Sequence, residues 1–150
     1  MDPVTAKHPV AVAAGASHTL TGGPDVVDAV RDLTHGGAEV AVEAVGSAAV
    51  LATAYAATRR GGTTVTVGLP DPRQTLSIPA VSLVAEERTL RGSYLGGAVP
   101  GRDIPRYIAL HQAGLLPADL LLGGRLKLDE INAGFDTLAA ATTTRQVVLF

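Results

Sequence analysis

Helical and strand patterns alternate along this chain, and their order constrains its fold more than any other feature. Apolar spacing and Ala-rich runs predict helices over residues 5–14, 25–34, 48–59, 80–86, 103–113 and 129–138. Runs rich in β-branched residues predict strands over residues 17–20, 40–45, 63–67, 89–95, 124–128 and 145–150. Strands that alternate with helices are typical of α/β domains with a mainly parallel sheet, so we predict that fold class.

Helix start and stop signals refine these boundaries. Asp2-Pro3 suits a helix start, because Asp caps free N–H groups and Pro fits the first helical position. Pro9 lies beyond that start and removes a backbone donor, which predicts a short or kinked first helix. Arg59-Arg60 suit a helix C-terminus that Gly61-Gly62 close. Asp129 is the predicted N-cap of the last helix.

Composition excludes several classes of function. A formal net charge of -2 gives no basis for a nucleic-acid partner. The chain has no cysteine for a disulfide or a thiolate metal site, and its 4 histidines show no metal-ligand spacing. No apolar run reaches the roughly 18 residues that cross a bilayer. Because the N-terminus also has no signal-peptide layout, we expect a cytoplasmic protein with no membrane partner.

Three strings of residues resemble the motifs of one enzyme family. Residues 40–46 read Val-Ala-Val-Glu-Ala-Val-Gly, residues 61–68 read Gly-Gly-Thr-Thr-Val-Thr-Val-Gly, and residues 128–136 read Leu-Asp-Glu-Ile-Asn-Ala-Gly-Phe-Asp. Together with residues 2–7 and 90–97, they resemble the medium-chain, zinc-type alcohol dehydrogenases in order and spacing. The first two strings are similar to that family's fourth and fifth Rossmann strands, and the third is similar to a motif near its C-terminus.

The resemblance implies a doubly wound parallel sheet that is present in part. Residues 1–101 match the NAD-binding Rossmann domain, and residues 102–150 match a segment that packs on the family's zinc-binding catalytic domain. Before Asp2 there is neither a strand nor the G-x-G-x-x-G turn that receives a pyrophosphate. We therefore expect a partial Rossmann domain without its first strand and Gly-rich turn, followed by a remnant of the catalytic domain.

NAD is the cofactor that the resemblance implies. Asp2 matches the carboxylate that binds the adenosine ribose hydroxyls, where it would repel the extra phosphate of NADP. Lys7 matches a basic residue that approaches the same ribose. Arg145 matches an arginine that reaches the pyrophosphate, for which a guanidinium fork is well shaped. Taken alone, Asp2 is also explained as a helix N-cap, and the two basic residues are also explained as surface side chains.

The ends of strands carry the nicotinamide contacts that the resemblance implies. Val45 matches an apolar residue near the cofactor, just past the carboxyl end of a strand, where open parallel sheets bind their ligands. The stretch Val67-Gly68-Leu69 matches backbone that passes the nicotinamide. Ser93 and Leu95 match a second backbone contact to its carboxamide. Without the resemblance, all of them are explained as ordinary strand-end residues.

Substrate and partner also follow from the resemblance. Family members oxidise an alcohol or reduce an aldehyde with NAD, and a zinc ion polarises the alcohol oxygen. None of the family's cysteine and histidine ligands is present, so we expect no zinc site and no catalytic residue in this chain. Residues 87–96 match the edge strand through which members dimerise, which predicts a homodimer.

Three interpretations of the function remain open. In the first, the chain is part of an NAD-dependent alcohol dehydrogenase. The chain alone would be inactive, because no proton-transfer or hydride-activating group is evident in it. The second is a non-catalytic nucleotide-binding or oligomerisation module that pairs with a full-length relative. The third is a decayed gene product. The match does not separate simple alcohols from thiol adducts as substrates.

Overall fold

Five strands form two parallel sheets, one in each of two units of the chain. The computed structural model describes residues 1–150. Residues 23–98 form the sheet unit, and residues 1–22 together with 99–150 form the terminal unit. Both units combine helices with parallel strands, which confirms the predicted α/β class. No helix is long and apolar enough to cross a membrane.

Six helices and five strands follow one another along the chain. The helices are α1 (His8–Ala13), α2 (Val26–Thr34), α3 (Ala48–Ala57), α4 (Val81–Ala85), α5 (Pro100–Gln112) and α6 (Ile131–Ala139). The strands are β1 (Ala38–Glu43), β2 (Thr58–Thr66), β3 (Thr89–Gly92), β4 (Leu122–Lys127) and β5 (Arg145–Leu149). Short 3₁₀ turns occupy Thr5–Lys7, Leu95–Gly97, Ala118–Leu121 and Leu128–Glu130.

The sheet unit is built on three parallel strands in the order β1-β2-β3. Glu43 pairs with Thr66, and Thr66 pairs with Gly92, so the three strands end in register. Helix α3 packs on β1 and β2 and is rich in alanine, whose small side chain lets a helix lie close to a sheet. This alignment places the three following loops at one edge of the sheet.

Several buried polar groups in the sheet unit have partners within it. Tyr55 is 3% exposed, and its hydroxyl lies 2.6 Å from Ser82 Oγ. The fully buried hydroxyls of Thr58 and Thr64 lie 2.8 Å apart. An unpaired buried polar group costs free energy, so these hydrogen bonds allow the polar side chains to be buried between α3 and β2.

The end of α3 differs from the prediction. Arg59-Arg60 do not end this helix but lie in β2, which begins at Thr58. The last carbonyls of α3 accept hydrogen bonds from three side chains, Thr58 to Ala54, Arg88 to Tyr55 and Arg31 to Ala56. Helix ends need such partners for their free carbonyls. The stabilising arginines therefore come from distant parts of the chain.

In the terminal unit, β4 and β5 form a parallel pair on which α6 packs. Gly134 of α6 is buried, and a Cβ there would lie 2.7 Å from Gln146 Oε1 and would collide with Leu126. Asp103 of α5 accepts the Val99 N–H at 2.8 Å, so it caps its own helix. The predicted division of the chain after residue 101 stays a prediction.

Two of the N-terminal predictions need correction, and the third, a short first helix, agrees with α1 of 6 residues. Asp2 does not start the helix, because its Oδ1 accepts the Val4 N–H at 2.8 Å and the first helical turn begins at Thr5. Pro9 lies in the first turn of α1. A backbone N–H at this position forms no hydrogen bond within the helix, so proline is tolerated there. The strand predicted over residues 17–20 is absent, since one bond from Asp2 N–H to the Leu20 carbonyl makes no ladder.

Other helix and strand boundaries also differ from the prediction. The predicted N-cap Asp129 lies inside a 3₁₀ turn, and α6 begins two residues later at Ile131. Glu130 takes the capping role instead, since its Oε2 accepts the Lys127 N–H at 2.8 Å. Strands β1 and β3 stop at Glu43 and Gly92, earlier than predicted, so the candidate residues beyond them lie in loops.

Candidate functional site

The carboxyl edge of the three-stranded sheet is the candidate site. Parallel sheets bind ligands outside the carboxyl ends of their strands, because the loops and free backbone groups gather there. In the sheet unit these loops are residues 44–47 after β1, residues 67–70 after β2 and residues 93–94 after β3. They contain most of the residues that the sequence assigned to nicotinamide.

A buried carboxylate organises the first of these loops. Glu43 is 2% exposed, although it carries a charge. Its Oε1 accepts the N–H groups of Val45 at 2.7 Å and Gly46 at 2.6 Å, with Ser47 farther away at 3.4 Å. Its Oε2 accepts the Thr66 hydroxyl at 2.7 Å. The side chain therefore joins the loop after β1 to the end of β2.

The backbone of Glu43 holds the second loop. Its carbonyl accepts the N–H groups of Val67 at 2.8 Å and Gly68 at 3.3 Å. Side chain and backbone of this one residue thus receive hydrogen bonds from both loops that follow β1 and β2. No lysine, arginine or histidine pairs with the carboxylate.

Hydrogen bonds keep this carboxylate ionised. Burial raises the pKa of the Glu43 carboxyl, but the bonds from the Thr66 hydroxyl and from the backbone N–H groups outweigh burial. Its pKa consequently lies below the ordinary value. At neutral pH the loop therefore contains a negative charge that is stabilised by the Thr66 hydroxyl and by backbone N–H groups, without a cationic side chain.

Two glycines let the loops touch backbone to backbone. Gly46 has a φ of 82°, and a Cβ there would lie 2.7 Å from the Leu69 carbonyl oxygen. A Cβ on Gly68 would collide with the backbone nitrogen of Gly46. Neither contact can be relieved by rotating a side chain, because the opposing atoms are backbone.

The structure brings several predicted nicotinamide residues together. Val45 and Leu69 flank the contact between the two glycines, and their side chains are 73% and 83% exposed. Val67 also presents an exposed apolar side chain. The Ser93 N–H donates to the Thr66 carbonyl at 2.9 Å, which ties the third loop to β2. Leu95 lies farther along, exposed in a 3₁₀ turn.

The other three predicted residues lie in the terminal unit. Asp2 is half-buried, and one of its oxygens is engaged by Val4. Lys7 is half-buried and lines a cavity of about 470 Å³ whose opposite wall includes Thr143 and Thr144. Arg145 is exposed at the start of β5, where its backbone pairs with Leu122.

The residues of this chain do not fit a zinc ion. Catalytic zinc needs three protein ligands, usually drawn from histidine, cysteine and carboxylate groups. No group of three or more such side chains occurs anywhere in residues 1–150. His111 Nε2 and Asp119 Oδ2 lie 3.7 Å apart, but no third group of this kind joins them.

Sequence reasoning missed Glu43 as a functional residue. Glu43 lies within residues 40–46, one of the strings that carry the resemblance. Of that string, only Val45 is a predicted cofactor contact. The signal for Glu43 was a charged residue at the end of an otherwise apolar strand, directly before a Gly-Ser turn. A carboxylate in that position has to be paired or hydrogen-bonded if the strand is buried.

Proteins of one enzyme family are similar to this chain in sequence. The family model for zinc-binding dehydrogenases matches residues 1–113. A putative alcohol dehydrogenase D of Mycobacterium tuberculosis is 33% identical over 99% of this chain and 42% of its own length. A geraniol dehydrogenase of Castellaniella defragrans is 34% identical over 100% of this chain and 40% of its own.

A solved structure extends the likeness to three dimensions. The crystal structure of an alcohol dehydrogenase zinc-binding domain protein from Burkholderia ambifaria matches with a TM-score of 0.92 and 32% sequence identity. The match covers 98% of this chain and 40% of that one. The chain thus spans about 40% of the length of its relatives and corresponds to their C-terminal part.

Proposed function

We propose, from the premise that this chain belongs to the zinc-binding dehydrogenase family of NAD(P)-dependent enzymes, that it supplies cofactor contacts of an alcohol dehydrogenase. The observation that supports this function is the carboxyl edge of the sheet unit. Three strands end there in register, two loops touch through glycines, and apolar side chains stay exposed. Such an edge suits a flat aromatic ring.

Nicotinamide is the group that we assign to this edge. Val45 and Leu69 lie on either side of the glycine contact and offer apolar surface to one face of the ring. The backbone of Val67-Gly68-Leu69, with that of Ser93 and Leu95, is assigned to the carboxamide. Bound NAD would supply the hydride acceptor, and the chain's own residues bind and orient it.

We propose separately that three residues of the terminal unit contact the adenosine ribose and the pyrophosphate, as the resemblance implies. Asp2 has one carboxylate oxygen engaged by Val4, which leaves the other for ribose hydroxyls. Lys7 is assigned to the same ribose and Arg145 to the pyrophosphate, which its forked donors match. Because a carboxylate repels a 2′-phosphate, NAD is proposed as the cofactor in preference to NADP.

The family reaction, oxidation of an alcohol or reduction of an aldehyde, is not proposed for this chain by itself. The chain has no site for zinc, and the buried carboxylate at the candidate site is fully occupied by hydrogen bonds. Purified chain given zinc, NAD and a primary alcohol should therefore form no NADH. Zinc-dependent NADH formation would contradict this proposal.

Binding of NADH to the purified chain tests the proposed cofactor site. Because no Gly-rich pyrophosphate turn occurs in the sequence, we expect weak binding. The dissociation constant should be about 1 mM, which corresponds to a binding free energy of roughly -4 kcal/mol. Replacing Arg145 with Ala should weaken binding, whereas the exposed Arg106→Ala is a control that should not. Absence of saturable binding, or stronger binding of NADPH than of NADH, would refute the assignment.

Pairing of two chains is a separate proposal. Strand β3 lies at an edge of the sheet, and residues 87–96 around it match the family's dimerisation segment. An open edge of this kind can add a strand from a second copy. Analytical ultracentrifugation should then give twice the 15.2 kDa of one chain, and a strictly monomeric mass at micromolar concentration would exclude the pairing.

A further inference from the structure

We propose that Glu43 is a positioning residue for the cofactor, because it fixes the two strand-end loops that carry the nicotinamide contacts. The inference rests on the proposed function. Its basis is that six hydrogen bonds converge on this one residue, four on the carboxylate and two on its carbonyl. Glu43 itself is too buried to touch a ligand.

The loop after β1 is shaped like an anion-binding nest. Its successive N–H groups at Val45, Gly46 and Ser47 point at one oxygen, and the positive φ of Gly46 makes that convergence possible. Nests of this kind commonly bind phosphate or other anions. Here the protein's own carboxylate fills the nest, so an external anion has no place in it.

The next N–H group at the start of α3 is also taken. Ala48 N–H donates to Gln74 Oε1 at 2.9 Å. The first N–H group of this helix is therefore occupied, although helix N-termini often serve phosphate groups. Because the nest and the first helical N–H group are occupied, the loop presents the exposed Val45 side chain to a ligand, which suits the nicotinamide ring better than a phosphate group.

Replacing Glu43 with Gln tests the role because it keeps the shape and changes the donors. A glutamine has one acceptor oxygen and one N–H₂ group where glutamate has two acceptors. If the N–H₂ group faces the N–H groups of Val45 and Gly46, donor faces donor and those two hydrogen bonds are lost. If it faces Thr66, the carbonyl oxygen that remains lacks the charge that strengthened the bonds to the loop.

The same strand contains a matched control. Glu39 also belongs to β1, but its side chain is 78% exposed and forms only a surface ion pair with Arg59 at 2.8 Å. Glu39→Gln removes the same charge from the same strand without touching either loop. Surface pairs of this kind contribute little to stability.

The experiment is a ¹H–¹⁵N NMR titration of the chain with NADH. In the unmodified chain and in Glu39→Gln, the amide signals of the two loops should shift on titration with equal dissociation constants. Glu43→Gln should raise the dissociation constant about tenfold, the size expected for losing hydrogen bonds to a charged group. Before NADH is added, its Gly46 and Val45 amide protons should already have moved upfield.

Each outcome decides between the two proposals. Unchanged NADH affinity in Glu43→Gln, with altered loop amides, would overturn the positioning role and leave the cofactor site intact. No binding by the unmodified chain would overturn the proposed function and the positioning role with it. If Glu43→Gln does not fold, Thr66→Val replaces it, since it removes one donor to the carboxylate and should weaken NADH binding by a few-fold.

Discussion

The sheet unit and the terminal unit bury very different amounts of apolar side chain. All four apolar residues that are less than a tenth exposed lie in the sheet unit, and they are Val26, Ala54, Tyr55 and Ala57. In the terminal unit, Phe135 is 61% exposed and Tyr107 is half exposed. Since burial of apolar surface is the main driving force of folding, the sheet unit should be the more stable of the two.

The two buried carboxylates show the same difference. Glu43 in the sheet unit is bonded by Thr66, which is 23 positions away in the sequence. Asp103 in the terminal unit is bonded by Arg102 and by the Val99 N–H, all within four positions. The first carboxylate therefore joins separate elements, whereas the second stabilises only the start of its own helix. The carboxylate with a long-range partner and the buried apolar residues occur in the same unit.

Removal of the largest buried side chain should break the sheet unit. We expect Tyr55→Ala to lower the free energy of unfolding by about 3–5 kcal/mol, as for other buried aromatic residues. The matched change Phe135→Ala in the terminal unit should cost less than about 1 kcal/mol, because that ring is already largely exposed. Urea denaturation of both variants measures this contrast, and equal costs would refute the difference in burial.

A methyl group between the two loops should have the next largest effect. Gly68→Ala forces a Cβ into the backbone of Gly46, and we expect a loss of about 1–3 kcal/mol. Gly92→Ala is the control in the same sheet, since a Cβ there meets no atom within 4 Å. Thermal unfolding followed by circular dichroism compares the two, and a Gly68→Ala protein as stable as the control would show that the loops are not in contact.

Acid should act on the sheet unit through Glu43. Because the folded pKa of this carboxyl is lowered from 4.5, its contribution is complete above the unfolded pKa and is lost as pH falls through the folded value. Stability of the sheet unit should therefore decrease below about pH 4.5, and Glu43→Gln should lose that part of the dependence. Hydrogen exchange of the β2 amides over about three pH units, from pH 3 to pH 6, measures this pH dependence of stability. Identical profiles for the unmodified chain and Glu43→Gln would contradict the assignment to Glu43.

The smallest effect concerns the surface of the terminal unit. Phe150, Leu149 and Leu128 surround a cavity of about 820 Å³ and are all exposed. We expect Phe150→Ser to reduce the fluorescence of the apolar dye ANS and to change stability by less than about 0.5 kcal/mol. Val84→Ser, at an exposed position of the sheet unit, is the control. Undiminished fluorescence in Phe150→Ser would place the dye elsewhere.

Much of the fold was predictable because its signals are local. The helix after Asp25 and the strand around Val65 follow from apolar spacing and β-branched runs, and both form, although β2 begins at Thr58 and not at the predicted Thr63. The strand expected over residues 17–20 does not form, because a strand needs a partner ladder and this stretch has a single bond. Local propensity does not report whether such a partner exists.

The candidate site was predictable only in part. Its place at strand ends follows from the alternation of strands and helices, and Val45, Gly68 and Leu69 do meet there. The role of Glu43 did not follow, since nothing in the sequence shows that Thr66 lies beside it. Burial and partnership of a charged group depend on which strands become neighbours.

The sequence by itself determined the order of most helices and strands, the approximate place of each and the family to which the chain belongs. Only the tertiary structure decided where the elements end and which side chains complete those ends. Arg59-Arg60 stand next to the end of α3 in sequence, yet Arg31 and Arg88 cap it in space. The physical reason is that a free carbonyl or a buried carboxylate accepts whichever donor packing brings within about 3 Å, at any separation along the chain.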